Sequence, residues 1–318
     1  MRTLSTIAAA AFMTLVGADR ALVAPLAAED RVAGVLTQVR TALGGEQKLA
    51  SVKAISAEGP FRRAMGSRSM EGSISLLLVR PDRLRRSEES RFLGATAERI
   101  ATFDGTQAWE ETVNAAHVGG SGGGFDHGGG GGFDHSYLGG GAQSGQAGTD
   151  HAHETDQFHA HGRAESGGPG GALTEEQVNA ARIRRMKMEL QRWTVALLSD
   201  SSQPFTDAGR AESPDGPADV LETKDEAGRP VRYFIDPASH MPLMVQYQEV
   251  RPQALPTQGA PKVSTTAMHL SDYKKVDGVL LPHQIDISID GRASESWTIE
   301  KLKINPAVKA DVFRKKAK

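Results

Sequence analysis

The chain has 318 residues, 39% of them apolar, a formal net charge of −2 and no cysteine. That length holds one large or two small domains, and the near-neutral charge leaves no electrostatic footprint for nucleic acid. The missing cysteines exclude disulfides, thiol catalysis, Cys-based zinc or iron–sulfur sites and the lipidated cysteine of a bacterial lipoprotein.

Met1-Arg2-Thr3 opens the chain, the run Leu4–Val16 is apolar and Ala-rich, and Val16-Gly-Ala18 is a small-residue cleavage site. A positive start, a short apolar core and small residues after it predict a secretory signal peptide over 1–18. A second small-residue stretch, Ala24-Pro-Leu-Ala-Ala28, places the latest cleavage point at 28. At about 15 residues the apolar run is short for a bilayer span, which needs ~20. The expected mature protein is exported and soluble.

Glu29 to Leu43 carries Val32, Val35, Leu36, Val39 and Leu43 at spacings of three and four, before Gly44-Gly45. That pattern predicts an amphipathic helix with a glycine stop. Five extended segments follow, Val52–Arg63, Met70–Val79, Leu84–Ser90, Glu98–Phe103 and Gln107–Val113, with Arg80-Pro-Asp82 and Asp104-Gly105 as turns. A recurrence of roughly ten residues is that of an antiparallel sheet. The arginines at 62, 63, 80, 83, 85, 86, 91 and 99 make this half basic and read as its solvent face, with a site for an anionic ligand as the alternative.

The pattern breaks over 115–172. Gly122-Gly-Gly-Phe-Asp-His127 repeats as Gly130-Gly-Gly-Phe-Asp-His135, and seven of the ten histidines fall in this tract. So Gly-rich a segment buries too little apolar surface to offset its ordering entropy, and disorder is expected. The pairs His151/His153 and His159/His161 are the candidate metal ligands, able to chelate zinc, nickel or copper through neutral imidazoles. A flexible tract binds weakly, so no resident cofactor is expected and such metal would be adventitious. Gly119-Gly-Ser121-Gly-Gly123 formally fits a nucleophile elbow, but no strong strand precedes it. With no phosphate loop and no paired carboxylates at motif spacing, the chain is not expected to be an enzyme.

Thr174-Glu-Glu-Gln177 reads as a capping box opening a helix to about Ser199, with Val178, Ala181, Met186, Leu190, Trp193 and Leu197 as its stripe. The stretch 201–217 is expected to be a polar loop. Six strands close the chain, Ala218–Thr223, Pro230–Ile235, Pro242–Val250, Lys262–Ser271, Val279–Ile289 and Ala293–Lys303. Asp277-Gly278 and Asp290-Gly291 are tight hairpin turns between the last of them. The sum is an α+β fold, a curved antiparallel sheet of about 11 strands curling toward an incomplete barrel, with two helices over its concave face. One domain is thus expected in two halves, 29–114 and 173–315, around the insertion.

The segment Tyr233-Phe-Ile-Asp-Pro-Ala-Ser-His-Met-Pro-Leu243 resembles the strand, Asp-Pro turn, strand hairpin of the LolA-like proteins, periplasmic carriers of outer-membrane lipoproteins. The ending Asn305-Pro-Ala-Val-Lys-Ala-Asp-Val-Phe313 is similar to that family's close, and the order helix, strands, helix, strands is similar too. Leu43-Gly-Gly-Glu-Gln-Lys-Leu-Ala-Ser-Val52 with Val276-Asp-Gly-Val-Leu-Leu-Pro-His283 is closer to uncharacterised exported relatives. The resemblance implies an unclosed barrel in the periplasm, lidded by helices around an apolar cavity for lipid or lipoprotein acyl chains. It also implies a monomer, with a membrane-associated donor or acceptor protein as partner. Candidate lining residues are Ile74, Leu76, Leu78, Tyr233 and Leu243, with Val245, Ile285, Ile287, Trp297 and Ile299 continuing the same face. The alternatives are metal binding by the His-rich tract and partnership with an exported peptidase.

Overall fold

A computed structural model describes residues 25–92, 95–113, 174–200, 204–213, 216–251, 262–309 and 311–315. The expected signal segment 1–18, the Gly/His tract 115–172 and with it His151, His153, His159 and His161 lie outside the described residues.

Helix α1 (Pro25–Ala42) runs into Gly44 and Gly45, whose φ values of 134° and 98° reverse the chain into a short α2 (Glu46–Ser51). The first meander is β1 (Ala54–Met65), β2 (Arg68–Val79), β3 (Arg83–Phe92), β4 (Ala95–Phe103) and β5 (Ala108–Val113). Helix α3 (Glu175–Leu198) follows. The second meander is β6 (Thr206–Ser213), β7 (Gly216–Lys224), β8 (Pro230–Ile235), β9 (Pro242–Arg251), β10 (Lys262–Val276), β11 (Val279–Ile289), β12 (Arg292–Thr298) and β13 (Lys301–Ile304). Asp277-Gly278 and Asp290-Gly291 both have positive φ at each position, the requirement of the two-residue turns that hairpins favour.

All pairings are antiparallel, in the order β5-β4-β3-β2-β1-β12-β11-β10-β9-β8-β7-β6, with β13 also on β1. The sheet does not close: β5 and β6, consecutive in the chain, are its two opposite edges. The connection between them must therefore cross the sheet, and α3 does so on the concave side, touching β3, β4 and β5 in one half and β8 and β9 in the other. Its capping box is in place, with the Gln177 N–H donating to Thr174 Oγ1 at 3.2 Å and the Thr174 N–H to Gln177 Oε1 at 2.9 Å.

Among the described residues the sheet has 13 strands rather than about 11, for two reasons. The stretch expected to be a polar loop contains β6, an edge strand of small and polar residues held to β7 by Arg210–Asp219 and irregular between Asp207 and Arg210. An edge strand needs no apolar alternation, so periodicity does not reveal it. The last expected strand is two, because β1 changes partner at Gly59, from β13 at Ile55–Glu58 to β12 at Phe61–Arg63. A Cβ on Gly59 would run into the Thr298 carbonyl oxygen, so only glycine permits that crossing.

The core is mostly one cluster between the concave face and the helices, including Val39 of α1, Trp193 of α3 and Tyr233, Ile285 and Trp297 of the sheet. The C-terminal ending works as a clip. Asn305 Oδ1 accepts from the Lys53 and Ala54 N–H groups at 2.6 and 3.1 Å, and Phe313 packs on Ala54 and Val79.

Candidate functional site

Alternation along the strands decides what faces α3. Ile74, Leu76, Leu78, Tyr233, Val245, Ile285, Trp297 and Ile299 are all buried in the main cluster, and Ile287 is half-buried against it. Leu243 is different: it is 38% exposed and outside the core. On β8–β9, Ile235 pairs with Pro242 but Phe234 with Met244, so Leu243 is the extra residue of a bulge and leaves the face that Val245 and Tyr247 share.

The helix fills much of the space these residues face. Trp193 meets Trp297 edge-on at 5.6 Å with the rings 89° apart, and Met186, Leu190 and Val195 to Leu198 are buried around it. Beyond the helix end, the Ser199 and Tyr233 hydroxyls are 2.7 Å apart, and burial pushes the Tyr233 phenol well above its ordinary pKa.

The middle of α3 covers charge instead. Arg63, expected on the solvent face, reaches Glu295 at 2.5 Å and Glu88 at 3.1 Å. Arg86 likewise turns inward, to Glu88 at 2.5 Å and to Glu189 of the helix at 3.2 Å. Arg192 joins Glu249 at 3.0 Å and stacks 3.6 Å above the Tyr247 ring, and Arg185 pairs with Glu110. Burial alone raises the Glu88 carboxyl, but Arg86 and Arg63 outweigh it and hold the pKa at about 2. For Arg185 desolvation dominates and lowers the pKa, with Arg99 adding to the effect.

These inward charges were legible in principle. Arg86 and Glu88 share the parity of buried Leu84, Glu295 that of Trp297, and Glu249 that of Tyr247. On α3, Arg185, Glu189 and Arg192 fall at helical spacing beside Met186 and Trp193. Opposite charges at apolar parity on neighbouring strands are the signal of a buried network rather than of a solvent face.

Between the network and the second meander lies a pocket of about 100 Å³. Arg86, Glu88, Glu189 and Arg192 form one wall, and Tyr247, Thr266, Met268, Ile287 and Ile289 the other. Arg192 and Thr266 are 7% and 3% exposed, yet Arg192 Nε and Thr266 Oγ1 have no hydrogen-bond partner among the described residues; nor has the indole N–H of Trp297 in the adjoining core. Pockets for drug-sized ligands run to roughly 300–1,000 Å³, so this one admits a small polar group but no acyl chain while α3 stays in place. Among the described residues no group of three or more His, Asp or Glu is placed to hold a metal ion.

No family model and no curated protein matches the chain. Solved structures do. A DUF1329 family protein from Desulfovibrio piger aligns over 89% of this chain and 96% of its own, at 8% identity and a TM-score of 0.43. For a LolA superfamily protein from Nitrosomonas europaea the figures are 91%, 98%, 8% and 0.41. For a putative outer membrane lipoprotein-sorting protein domain from Vibrio parahaemolyticus they are 88%, 95%, 10% and 0.39.

Proposed function

We propose that this protein is an exported lipid-binding module whose concave sheet accepts an acyl chain when α3 lifts. The observation that carries the reading is the seam between α3 and the sheet. There the helix bridges both halves of the open face, over a pocket and over the Arg192 Nε, Thr266 Oγ1 and Trp297 Nε1 atoms, which have no hydrogen-bond partner among the described residues. Each buried polar group without a partner costs about 1–3 kcal/mol, so the closed seam is less stable than its apolar area suggests. Beneath it lie Ile74, Leu76, Val245 and Ile285, the surface an acyl chain would cover in place of Met186 and Leu190. A long chain gains roughly 10 kcal/mol at about 0.8 per CH₂, which offsets displacement of the helix. In this reading the protein works in the periplasm as a monomer, receiving lipid or a lipoprotein acyl chain from a membrane-associated donor and passing it to an acceptor. The signal-like residues 1–18 support the location. Catalysis has no part in it.

The test is native mass spectrometry of protein released from its own envelope without detergent, alongside titration with a fluorescent fatty acid. Lipid adducts of one per chain and saturable uptake are expected. A lipid-free spectrum together with no uptake removes the reading.

A further inference from the structure

The convex side of the sheet, away from α3, carries a basic surface around the C-terminal clip. On β3 buried Leu84 faces the core, so Arg83 and Arg85 face the other way. On β13 Leu302 and Ile304 pack on the core, so exposed Lys301 and Lys303 are turned outward. The register puts Arg85, Leu77, Ser56 and Lys303 in one row across β3, β2, β1 and β13. Three strand spacings make that row about 14 Å long. The clip lies beside it. Phe313 packs on Ala54 and Val79, with the Arg83 guanidinium 5.3 Å from the centre of its ring, and Lys309, Arg314 and Lys315 are exposed nearby in the chain.

These cations are not neutralised within the described residues, among which Arg85, Lys303, Lys309, Arg314 and Lys315 form no ion pair. The carboxylates on this side are Glu58, which pairs with Lys301 at 3.5 Å, and Asp311, with Asp82 and Glu300 at the margins. Apolar surface stays open among the charges: Leu77 and Val312 are half-buried and Val308 is 36% exposed. We propose that this face docks the protein on an anionic bilayer surface. A spread of unpaired cations matches a plane of lipid phosphates, where each contact is favourable and none needs a pocket. Leu77, Val308 and Val312 then rest against the headgroup boundary, as apolar side chains among basic ones do at membrane interfaces. Docked this way, the protein keeps α3 on the far side of the sheet, unobstructed. The proposal goes beyond the acyl-chain reading and stands on other residues, so either can fail alone.

Co-sedimentation of the full chain with vesicles tests it, phosphatidylcholine alone being compared with equal parts phosphatidylcholine and phosphatidylglycerol. The wild type is expected to sediment with the anionic vesicles only, and to be released as salt shortens the Debye length. Arg85→Gln with Lys303→Gln removes two outward-facing cations and should weaken binding about thirtyfold, the worth of two surface contacts. Arg85→Glu with Lys303→Glu should abolish it. Both variants should keep the wild-type melting temperature, since neither side chain belongs to the core. The control, Arg68→Glu with Arg184→Glu, changes the net charge equally at exposed positions elsewhere and should still sediment. Equal sedimentation with both vesicles, binding that salt does not weaken, or equal loss in control and test variants overturns the proposal. So does a wild type that sediments with neither vesicle, which would leave the patch to an acidic protein surface. None of these outcomes bears on lipid uptake by the concave side.

Discussion

Two stretches of α3 lie on the same sheet and are held there differently. From Trp193 to Leu198 the helix is anchored by buried apolar side chains and by the Ser199–Tyr233 hydrogen bond just past its end. From Arg185 to Arg192 buried Met186 and Leu190 are joined by the ion pairs Arg86–Glu189, Arg185–Glu110 and Arg192–Glu249, and the helix leaves a pocket beneath. Water compensates poorly for apolar surface that becomes exposed, whereas it solvates separated ions well, so the two ends respond differently to opening. In the proposed lipid-binding reading one helix serves as both plug and cover, hinged at its C-terminal end. The connections agree: only 199–205 separate α3 from β6, while 114–174 separate β5 from α3.

The largest effect belongs to the apolar end. Trp193→Ala should cost about 4 kcal/mol in urea denaturation, since it empties a ring-sized space against Trp297. A loss below about 1 kcal/mol would mean that the C-terminal end is no anchor. Next, Glu295→Gln leaves Arg63 and Arg86 short of a buried counter-charge and should cost about 3 kcal/mol. Replacing Arg63 and Glu295 together by Met and Leu should recover most of that, and failure to do so would show that the pair contributes more than mutual neutralisation.

The pH dependence sharpens the same contrast. Glu88 titrates at about 2 in the folded chain against 4.5 without its surroundings, so its stabilisation is complete above pH 4.5 and disappears as pH falls through about 2. That loss, about 3 kcal/mol, should be seen in acid denaturation and vanish in Glu88→Gln. A wild-type curve flat between pH 5 and 2 would contradict it. The smallest effect is at the pocket: without ligand, Thr266→Val should raise stability by about 1 kcal/mol, because it removes a buried hydroxyl that has no partner among the described residues. A decrease would mean that the hydroxyl is satisfied in the closed state.

Much of the fold was readable because its signals are local. The Thr174–Gln177 capping box, the glycines after α1 and the Asp-Gly turns each act within a few residues, and the alternation of β2, β8 and β11 marks one covered face. What escaped depends on neighbours distant in sequence. β6 is a strand only because β7 pairs with it, β12 and β13 separate only because β1 changes partner at Gly59, and the Leu243 bulge arises from the β8–β9 register. The basic stretch from Arg62 to Arg99 was misleading for the same reason. Parity turns Arg86 inward with Leu84 and Glu295 inward with Trp297, but only the curl of the sheet decides that Glu295 and Glu189 meet Arg63 and Arg86.

The central claim, that α3 lifts from its N-terminal end to admit lipid, is tested most directly by a distance. The native chain has no cysteine, so spin labels at Arg184→Cys on the exposed side of α3 and Ser271→Cys on β10 report without interference. Pulsed electron resonance should give one separation in the free protein and a longer one, by about 5 Å or more, with monoolein, taking one helical turn as the least movement that clears a chain. An unchanged separation at saturating lipid would contradict the account.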